Sequence, residues 1–538
     1  MRAINFYLRS LVVFAMIMVN NLQAQNSTGG TPPAPQLISF QKTYGSGEAR
    51  KSILVDSSVF TLGKRSNQVY LQKNDLSGNV IWAKKYTING IGNDFKRDSN
   101  GNFILIGTVN PGTPGSAIFV MKVDSNGYIL QQPATFSSNQ GTNPAMFGNG
   151  IEIVPDGYLI TGRSSGPASV YLGLIVIKID FELNLVWSYV YGDETYGVSI
   201  IKTNDGCYVI SGAFGNSTNS YDVCLLKIDN LGNQIWFKYY GGTDMENSFD
   251  LKQMSDNSIV TVGFTQSNAN GGRDVFVLKV LLDNGNVVWA KNIGSGNKEK
   301  AASVIETTNG YLISGCSYDP IQFGTSSFLA KIQTDGSFLW SKIIGSPISP
   351  SDCYLNSLAQ TDKGLFMTGM RSNMFYVVKA DSNFDPGCDV ANVTMTAVPA
   401  TLITGSITLS KNMAIPVVAN PLTTVSNSSL LLATVCFVVD STTLVIDTTE
   451  QVDTTHTNVS FLEKKQIRIY PNPAIDNITI IGAENSTLFI YDSFGRILLQ
   501  KEINQSETKV LFNLPKGVYI YTLNTAKNKV SNRLVVLK

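Results

Sequence analysis

The stretch from Phe249 to Gly294, FDLKQMSDNSIVTVGFTQSNANGGRDVFVLKVLLDNGNVVWAKNIG, decides how this chain is built. It holds four β-rich runs, FDLKQM, SIVTVGF, DVFVLKV and VVWAKNIG, separated by turn residues such as Asp256, Asn257, Gly271, Gly272 and Gly285. The phrase around Trp289 recurs: all five tryptophans, Trp82, Trp187, Trp236, Trp289 and Trp340, occupy it. The last four are spaced by 49, 53 and 51 residues, and Trp82 precedes Trp187 by 105, two periods with Gln131 in the middle slot. A period near 50 residues marks an architecture of repeated supersecondary units.

Aligning on the tryptophans exposes two further columns. Glycine recurs at Gly63, Gly107, Gly162, Gly212, Gly263, Gly315 and Gly369, and lysine at Lys73, Lys122, Lys178, Lys227, Lys279, Lys331 and Lys379. Four strands per unit is the blade of a β-propeller. The unit around Lys379 has no tryptophan strand after it, but Ile38 to Gly45, ISFQKTYG, places Phe40 in that slot near the N-terminus. The expected fold is therefore all-β: a seven-bladed β-propeller over residues 36–381, closed by the N-terminal strand, which leaves no open sheet edge to template aggregation.

The phrases KIDNLGNQIW, QKNDLSGNVIW and KVDSNGYIL resemble the tryptophan-docking motif of quinoprotein-type propellers. The resemblance implies that each tryptophan packs between neighbouring blades, and it covers the blade skeleton only. That family usually has eight blades and a quinone pocket; seven units and no adjacent-cysteine pair are found here, so no cofactor is expected. Blade packing is also the physical reading of Trp82, Trp187, Trp236, Trp289 and Trp340, since a rigid aromatic fills the wedge between twisted sheets. The lysines precede Asp75, Asp124, Asp180, Asp229 and Asp381 by two residues, which puts acid and base on one strand face as a local ion pair. The turn aspartates are expected to cap backbone amides rather than bind calcium.

Charge is balanced, with 41 Lys plus Arg against 40 Asp plus Glu, so no global field favours nucleic acid. The one histidine, His456, lies in a Thr- and Asp-rich stretch, which removes the triads and multi-histidine metal centres that need packed imidazoles. No metal site is expected. Residues 1–25 read as a secretory signal peptide with cleavage near Ala24, followed by a linker over 26–35. No transmembrane segment is expected, since no apolar run reaches the length a bilayer requires.

Binding residues need not repeat, and the connections between blades are their expected place. Those connections carry Tyr171, Tyr196, Phe214, Tyr221, Tyr318 and Phe323. Glu48, Glu194, Glu246, Glu299 and Asp352 all lie between a fourth strand and the next first strand, and are the candidate acids for convergence at the channel mouth. Two of them suffice for general acid and base, several for a hard cation. The sialidase-type Asp box is absent.

Residues 382–440 are rich in Val, Thr, Ser and Leu and read as a small β-rich appendage, with Cys388 and Cys436 as a possible disulfide. Cys207 and Cys224 sit on neighbouring strands, where register decides between a bond and free thiols. Residues 441–460 read as a Thr/Asp-rich linker.

Residues 461–538 hold about seven short alternating runs, IRIY, NITII, TLFIYD, RILLQKEI, KVLFNL, VYIYTLN and NRLVVLK, the pattern of a small Ig-like β-sandwich. Tyr470, Pro471, Asn472 and Pro473, then Gly495 with Arg496, then Leu514, Pro515, Gly517 and Tyr519 resemble the type A C-terminal sorting domain of the type IX secretion system. The resemblance implies export to the periplasm and then across the outer membrane, handling by the type IX machinery, and a secreted or outer cell-surface protein. The expectation for function is a non-enzymatic propeller that binds an extracellular glycan or protein through its loop face. The alternatives are a carboxylate-dependent polysaccharide-degrading enzyme and a structural matrix component.

Overall fold

A computed structural model describes residues 37–439 and 468–536, apart from 114, 139–144, 166–170, 216–219, 322–323, 346–352, 362–363, 388–389, 414–416, 420–422, 429–431, 471–475, 482, 493–495, 516 and 526–528. The segment expected to be a signal peptide, with Ala24, and the two expected linkers, with His456, lie outside the described residues. The chain divides into two units, Met1–Val445 and Ile446–Lys538.

In the first unit each repeat folds as an antiparallel sheet. Sheet 1 is Glu48–Val55, Ser58–Arg65, Gln68–Asp75 and the start of Val80–Arg97; that long strand continues as the first strand of sheet 2, with Phe103–Val109, Ala117–Val123 and Ile129–Ser137. Sheet 3 is Ala145–Val154, Gly157–Ser165, Tyr171–Ile179 and Leu185–Tyr191; sheet 4 is Thr195–Lys202, Tyr208–Gly215, Tyr221–Ile228 and Gln234–Gly241. Sheet 5 is Glu246–Gln253, Ser258–Thr265, Asp274–Leu281 and Val287–Gly294; sheet 6 is Lys298–Thr307, Gly310–Asp319, Gly324–Ile332 and Phe338–Ile344. Sheet 7 is Cys353–Thr361, Gly364–Arg371, Met374–Ala380 and, from the other end of the chain, Leu37–Ser46.

The central strands read as nearly continuous apolar runs because both faces are buried. Consecutive sheets share a core: Phe60, Leu62 and Leu71 of sheet 1 with Phe95, Phe103 and Phe119 of sheet 2, for example. The same holds between sheets 7 and 1, where Phe40, Phe366, Phe375 and Val377 meet Ala49, Val59 and Tyr70.

The lysine and tryptophan columns are cross-strand partners. Lys73 pairs with Trp82, Lys178 with Trp187, Lys227 with Trp236, Lys279 with Trp289 and Lys331 with Trp340, while Gln131 faces Lys122 and Phe40 faces Lys379. The aromatic then reaches the next sheet. Phe40 lies against Gly78, Trp82 against Gly127, Trp187 against Gly232, Trp236 against Gly285 and Trp289 against Gly336. These five glycines have φ between +68° and +81°, and the ring, joined at each of them by a neighbouring lysine stem or tyrosine hydroxyl, crowds the space a Cβ would need. Trp236 and Trp289 donate their indole N–H to Leu282 O and Thr334 O of that next sheet, at 3.2 and 3.0 Å. At the tryptophan-free junction the two departures compensate. Gln131 donates its amide to Glu182 O, and the turn carries buried Leu183 at φ +64° where the others carry glycine.

The lysines find a different acid from the one expected. Lys122, Lys178, Lys227 and Lys279 pair with Asp98, Asp156, Asp205 and Asp256, which lie in the turn between the first two strands of their own sheet. Asp75, Asp124, Asp180, Asp229 and Asp381 instead accept backbone N–H groups inside their own turns, as Ser77 N and Asn79 N do on Asp75 Oδ1 at 2.9 and 2.8 Å. A strand end turns the carboxylate back on its own loop before it can reach along the strand face.

Residues 382–440, expected as a small appendage, make no sheet of their own among the described residues. Seven short strands run along the outer edges of the seven sheets in reverse order. Val390–Asn392 joins sheet 6, Thr396–Pro399 sheet 5, Ile403–Ser406 sheet 4, Lys411–Met413 sheet 3, Val417–Ala419 sheet 2, Val425–Asn427 sheet 1 and Leu432–Val439 sheet 7. Each adds a fifth strand to an edge that would otherwise be open, and each is too short to be stable alone. Leu432–Val439 pairs from Tyr44 back to Leu37, so the N-terminal strand is held on both sides.

The second unit has a three-stranded sheet, Arg468–Tyr470, Asn477–Ile481 and Glu507–Leu511, and a four-stranded one, Ser486–Tyr491, Ile497–Ile503, Gly517–Thr525 and Lys529–Val536. Ile478, Ile480 and Val510 of the first share a core with Leu488, Ile490, Leu523 and Leu534 of the second.

Candidate functional site

The glycine column leads to the site. A Cβ on Gly63, Gly107, Gly162, Gly212, Gly263, Gly315 or Gly369 would overlap the carbonyl oxygen of Glu48, Ile91, Phe147, Tyr196, Asn247, Lys300 or Tyr354, respectively, on the neighbouring first strand. That carbonyl is thrust toward the glycine because the first strand is bulged just beyond it. The register slips by one residue in every sheet, at Arg50, Asn93, Asn149, Val198, Phe249, Ala302 and Asn356. A bulge leaves one residue unpaired and re-aims its side chain. All seven unpaired residues line one cavity of about 340 Å³.

Hydrogen bonds between sheets hold this ring of bulges. Asn93, Asn149 and Asn356 donate their amides to Gly148 O, Gly197 O and Ala49 O of the following sheet at 2.7, 2.8 and 2.8 Å. The residue after the bulge also reaches across: Asp94 Oδ2 accepts Ile151 N, Asp250 Oδ2 accepts Val304 N, Ser303 Oγ accepts Leu358 N and Ser357 Oγ accepts Ser52 N, at 3.1 to 3.4 Å. The last of these, with Asn356, joins sheet 7 to sheet 1.

The cavity is lined further by Lys51, Tyr196, Asn247 and Lys300. Asn247 donates to the Tyr196 hydroxyl at 2.7 Å, and its Oδ1 is buried without a hydrogen-bond partner. Lys300 Nζ stands 5.7 Å from the ring centres of both Phe249 and Tyr354. Deeper groups on the same strands set the local charge: Lys252 contacts Asp250 at 3.1 Å, and Lys96 contacts Glu152 at 3.0 Å. Burial lowers the Lys252 pKa, against the opposing pull of Asp250; burial opposes protonation of Lys96 too, but Asp94 and Glu152 raise it overall.

The structure does not bring the candidate acids into the cavity; none of those described is among its lining residues. Glu48 pairs with Arg50 at 2.8 Å and Lys64 at 3.5 Å. Glu246 accepts Gly242 N and the Thr265 hydroxyl, and Glu299 accepts the Ser295 and Ser317 hydroxyls. Glu194 is exposed in a turn at φ +54°, and Asp352 lies outside the described residues. Each buried carboxylate is satisfied by its own sheet's turn, so it is not free to converge with another. Among the described residues no group of three or more His, Cys, Asp or Glu is disposed to hold a metal ion.

Of the loop aromatics, Tyr196 lines the cavity and Tyr221 packs against it with tilted rings, centres 5.8 Å apart, while Phe214 packs on Phe237 and Tyr239. Phe323 lies outside the described residues. The lining residues Asn93, Asn149, Asn247, Phe249, Lys300 and Asn356 were hidden because their types do not repeat. Their position does: Arg50 is 13 residues before Gly63 and Asn93 is 14 before Gly107, a spacing that continues through the column. Cys207 and Cys224 are free thiols, as is Cys316. Cys388 lies outside the described residues, and Cys436 is opposite Gln41 in the outer strand of sheet 7.

Away from the cavity lining, Asp274 is 3% exposed and Glu299 is fully buried. Burial pushes the Asp274 carboxyl up to about 6, the Asn270 N–H opposes this, and the Glu299 charge adds to it. An acid whose folded pKa is raised keeps its proton over a window, here between about 4 and 6, in which the unfolded chain has lost it. Stability therefore falls as pH rises through that window and stays lower above it. Asp274→Asn is expected to raise the melting temperature at pH 7.5 by about 3–6 °C and to flatten the profile between pH 4 and 6. Scanning calorimetry across pH checks this; an Asn variant less stable at pH 7.5 contradicts it.

In the C-terminal unit, Tyr470 ends its strand, and Pro471, Asn472, Pro473 and Gly495 lie outside the described residues. Leu514 packs on the core, Gly517 opens the strand that carries Tyr519, and the Tyr519 hydroxyl donates to Pro515 O at 2.7 Å. Arg496 closes its turn on Asp492 at 2.6 Å.

Three comparisons with known proteins bear on these units. No curated protein matches the chain. Among solved structures, PorZ, a surface component of the type IX secretion system of Porphyromonas gingivalis, is similar at 12% identity and TM-score 0.37. The match covers 96% of this chain and 61% of PorZ, so the chain spans less than two thirds of that protein's length. A Bacteroides caccae protein of unknown function matches at 10% identity and TM-score 0.31, over 57% of this chain and 93% of that one. An endo-1,5-α-L-arabinanase from Thermotoga petrophila matches at 10% identity and TM-score 0.22, over 66% and 100%. Likeness at these scores carries no argument about this chain. Among the described residues no helix is long and apolar enough to cross a membrane. Residues 468–537 match the secretion system C-terminal sorting domain, and this chain is thereby a secreted, cell-surface protein.

Proposed function

We propose that residues 36–381 are a seven-bladed β-propeller closed by its N-terminal strand, that the C-terminal unit is an Ig-like sandwich, and that the exported protein binds a glycan or protein ligand at the channel mouth. The observation that carries this reading is the single cavity to which all seven first strands contribute, with the Tyr196 and Phe249 rings beside four asparagine side chains. Concave sites of this size, with apolar faces and a few fixed polar groups, are the usual form of small-ligand sites. Binding is supported over bond cleavage by the state of the two cavity aspartates. Asp94 and Asp250 both accept backbone N–H groups of the next sheet, a use in tying the sheets together that favours a binding role for the cavity.

The test has two arms. Deleting residues 468–538 is expected to abolish appearance of the protein in the medium and on the cell surface, measured by immunoblot of fractions. The full-length chain, screened against glycan and extracellular-protein arrays, is expected to bind a ligand that Phe249→Ala weakens by about tenfold or more, as loss of a stacking ring does. Binding unaffected by Phe249→Ala argues against the cavity.

A further inference from the structure

The charges around the cavity are unevenly committed. Asp94 accepts Phe95 N and Ile151 N, at 2.9 and 3.1 Å. Asp250 accepts Val304 N and the Ser303 hydroxyl, at 3.1 and 3.0 Å, and contacts Lys252. Arg50 is paired with Glu48. By contrast, Lys51 and Lys300 make no ion pair among the described residues. Lys300 is held between two aromatic rings instead of by a carboxylate. An ammonium over an aromatic face is attracted to it while its N–H donors remain available. The uncommitted charge of the cavity is therefore positive, and it stands beside ring faces and amide groups.

Resting on the reading of the cavity as a glycan-binding site, we propose that its ligand is an acidic glycan: Lys300 takes the carboxylate of a uronate residue, Phe249 and Tyr196 take the sugar's apolar face, and the asparagines take its hydroxyls. A sugar acid is the ligand class that uses all three features at once, since its ring presents a C–H face, a rim of hydroxyls and one planar anion. Asn247 lines the cavity beside Tyr196, to whose hydroxyl it donates at 2.7 Å, and so holds that ring in place for the sugar.

The experiment titrates full-length protein with oligo-galacturonate, oligo-mannuronate and hyaluronan oligosaccharides, each beside its fully methyl-esterified form, and with poly-glutamate. At least one uronate is expected to bind about tenfold tighter than its ester, a difference of about 1.4 kcal/mol, and to weaken as salt rises. Lys300→Met is expected to erase the difference between acid and ester without lowering the melting temperature. Equal binding of acid and ester overturns the inference and leaves glycan binding intact. Poly-glutamate binding as tightly as any uronate, with the same dependence on Lys300, overturns it in favour of an acidic protein partner. No binding of any uronate overturns it outright, while a neutral glycan found by the array screen still upholds the wider reading.

Discussion

Gly263→Val is expected to destabilise the first unit by about 3 kcal/mol or more, in the range of severe backbone and overpacking clashes. A Cβ at this position falls on the carbonyl oxygen of Asn247, and backbone on both sides of the clash belongs to paired strands that have little room to yield. Relief requires undoing the bulge at Phe249, which restores regular pairing and turns that side chain out of the cavity. Ligand binding should therefore be lost along with stability. Gly296→Ala is the control: no atom lies within 4 Å of its Cβ position, and a change within about 0.5 kcal/mol is expected. Chemical denaturation of both variants checks the pair. A Gly263→Val protein of wild-type stability would mean that the bulges do not force glycine at this column.

Deleting residues 388–439, with the C-terminal unit left attached, is expected to lower the melting temperature by about 10 °C or more and to cause concentration-dependent association. Seven fourth strands would each lose the neighbour that covers part of an outer edge. Exposed strand edges pair with other chains. The largest loss falls on Leu37–Ser46, which has no chain connection to its sheet and keeps its place by pairing with Met374–Ala380 on one side and Leu432–Val439 on the other. Differential scanning fluorimetry and size-exclusion chromatography over a dilution series measure both effects. An unchanged melting temperature with a monomeric profile would show that the outer strands are dispensable.

The repeated columns were legible because they answer to constraints that recur identically in each sheet. Tryptophan and lysine face each other across one strand pair, and both take part in packing each sheet on the next. Phe40 and Gln131 could be placed in the tryptophan slot by counting alone. The outer strands were not legible in this way. They are mostly three or four residues long, they begin only six to eight residues apart without the residue columns of the main repeat, and their partners are up to several hundred residues away, so composition alone made them look like a separate appendage. The acids misled for a related reason. Glu246 and Glu299 share a place in the sequence repeat, but local hydrogen bonds to Thr265, Ser295 and Ser317 fix where their carboxylates point.

By itself the sequence determined the four-strand repeat, the C-terminal sorting domain and the glycine column. These depend on local pattern, or on short motifs that act where they stand. Only the tertiary structure decided what the glycine column is for. Each glycine admits a carbonyl displaced by a bulge on the neighbouring strand, and the seven bulges together carry Arg50, Asn93, Asn149, Val198, Phe249, Ala302 and Asn356 to one cavity. A site assembled from one residue of every sheet has no signature of residue type along the chain, because its members are about fifty residues apart and only three of the seven, all asparagine, share a type; their fixed offset from the glycine column acquires meaning only once the bulge is seen. Their common address comes from the sheets meeting around the cavity, a property of packing rather than of any single repeat.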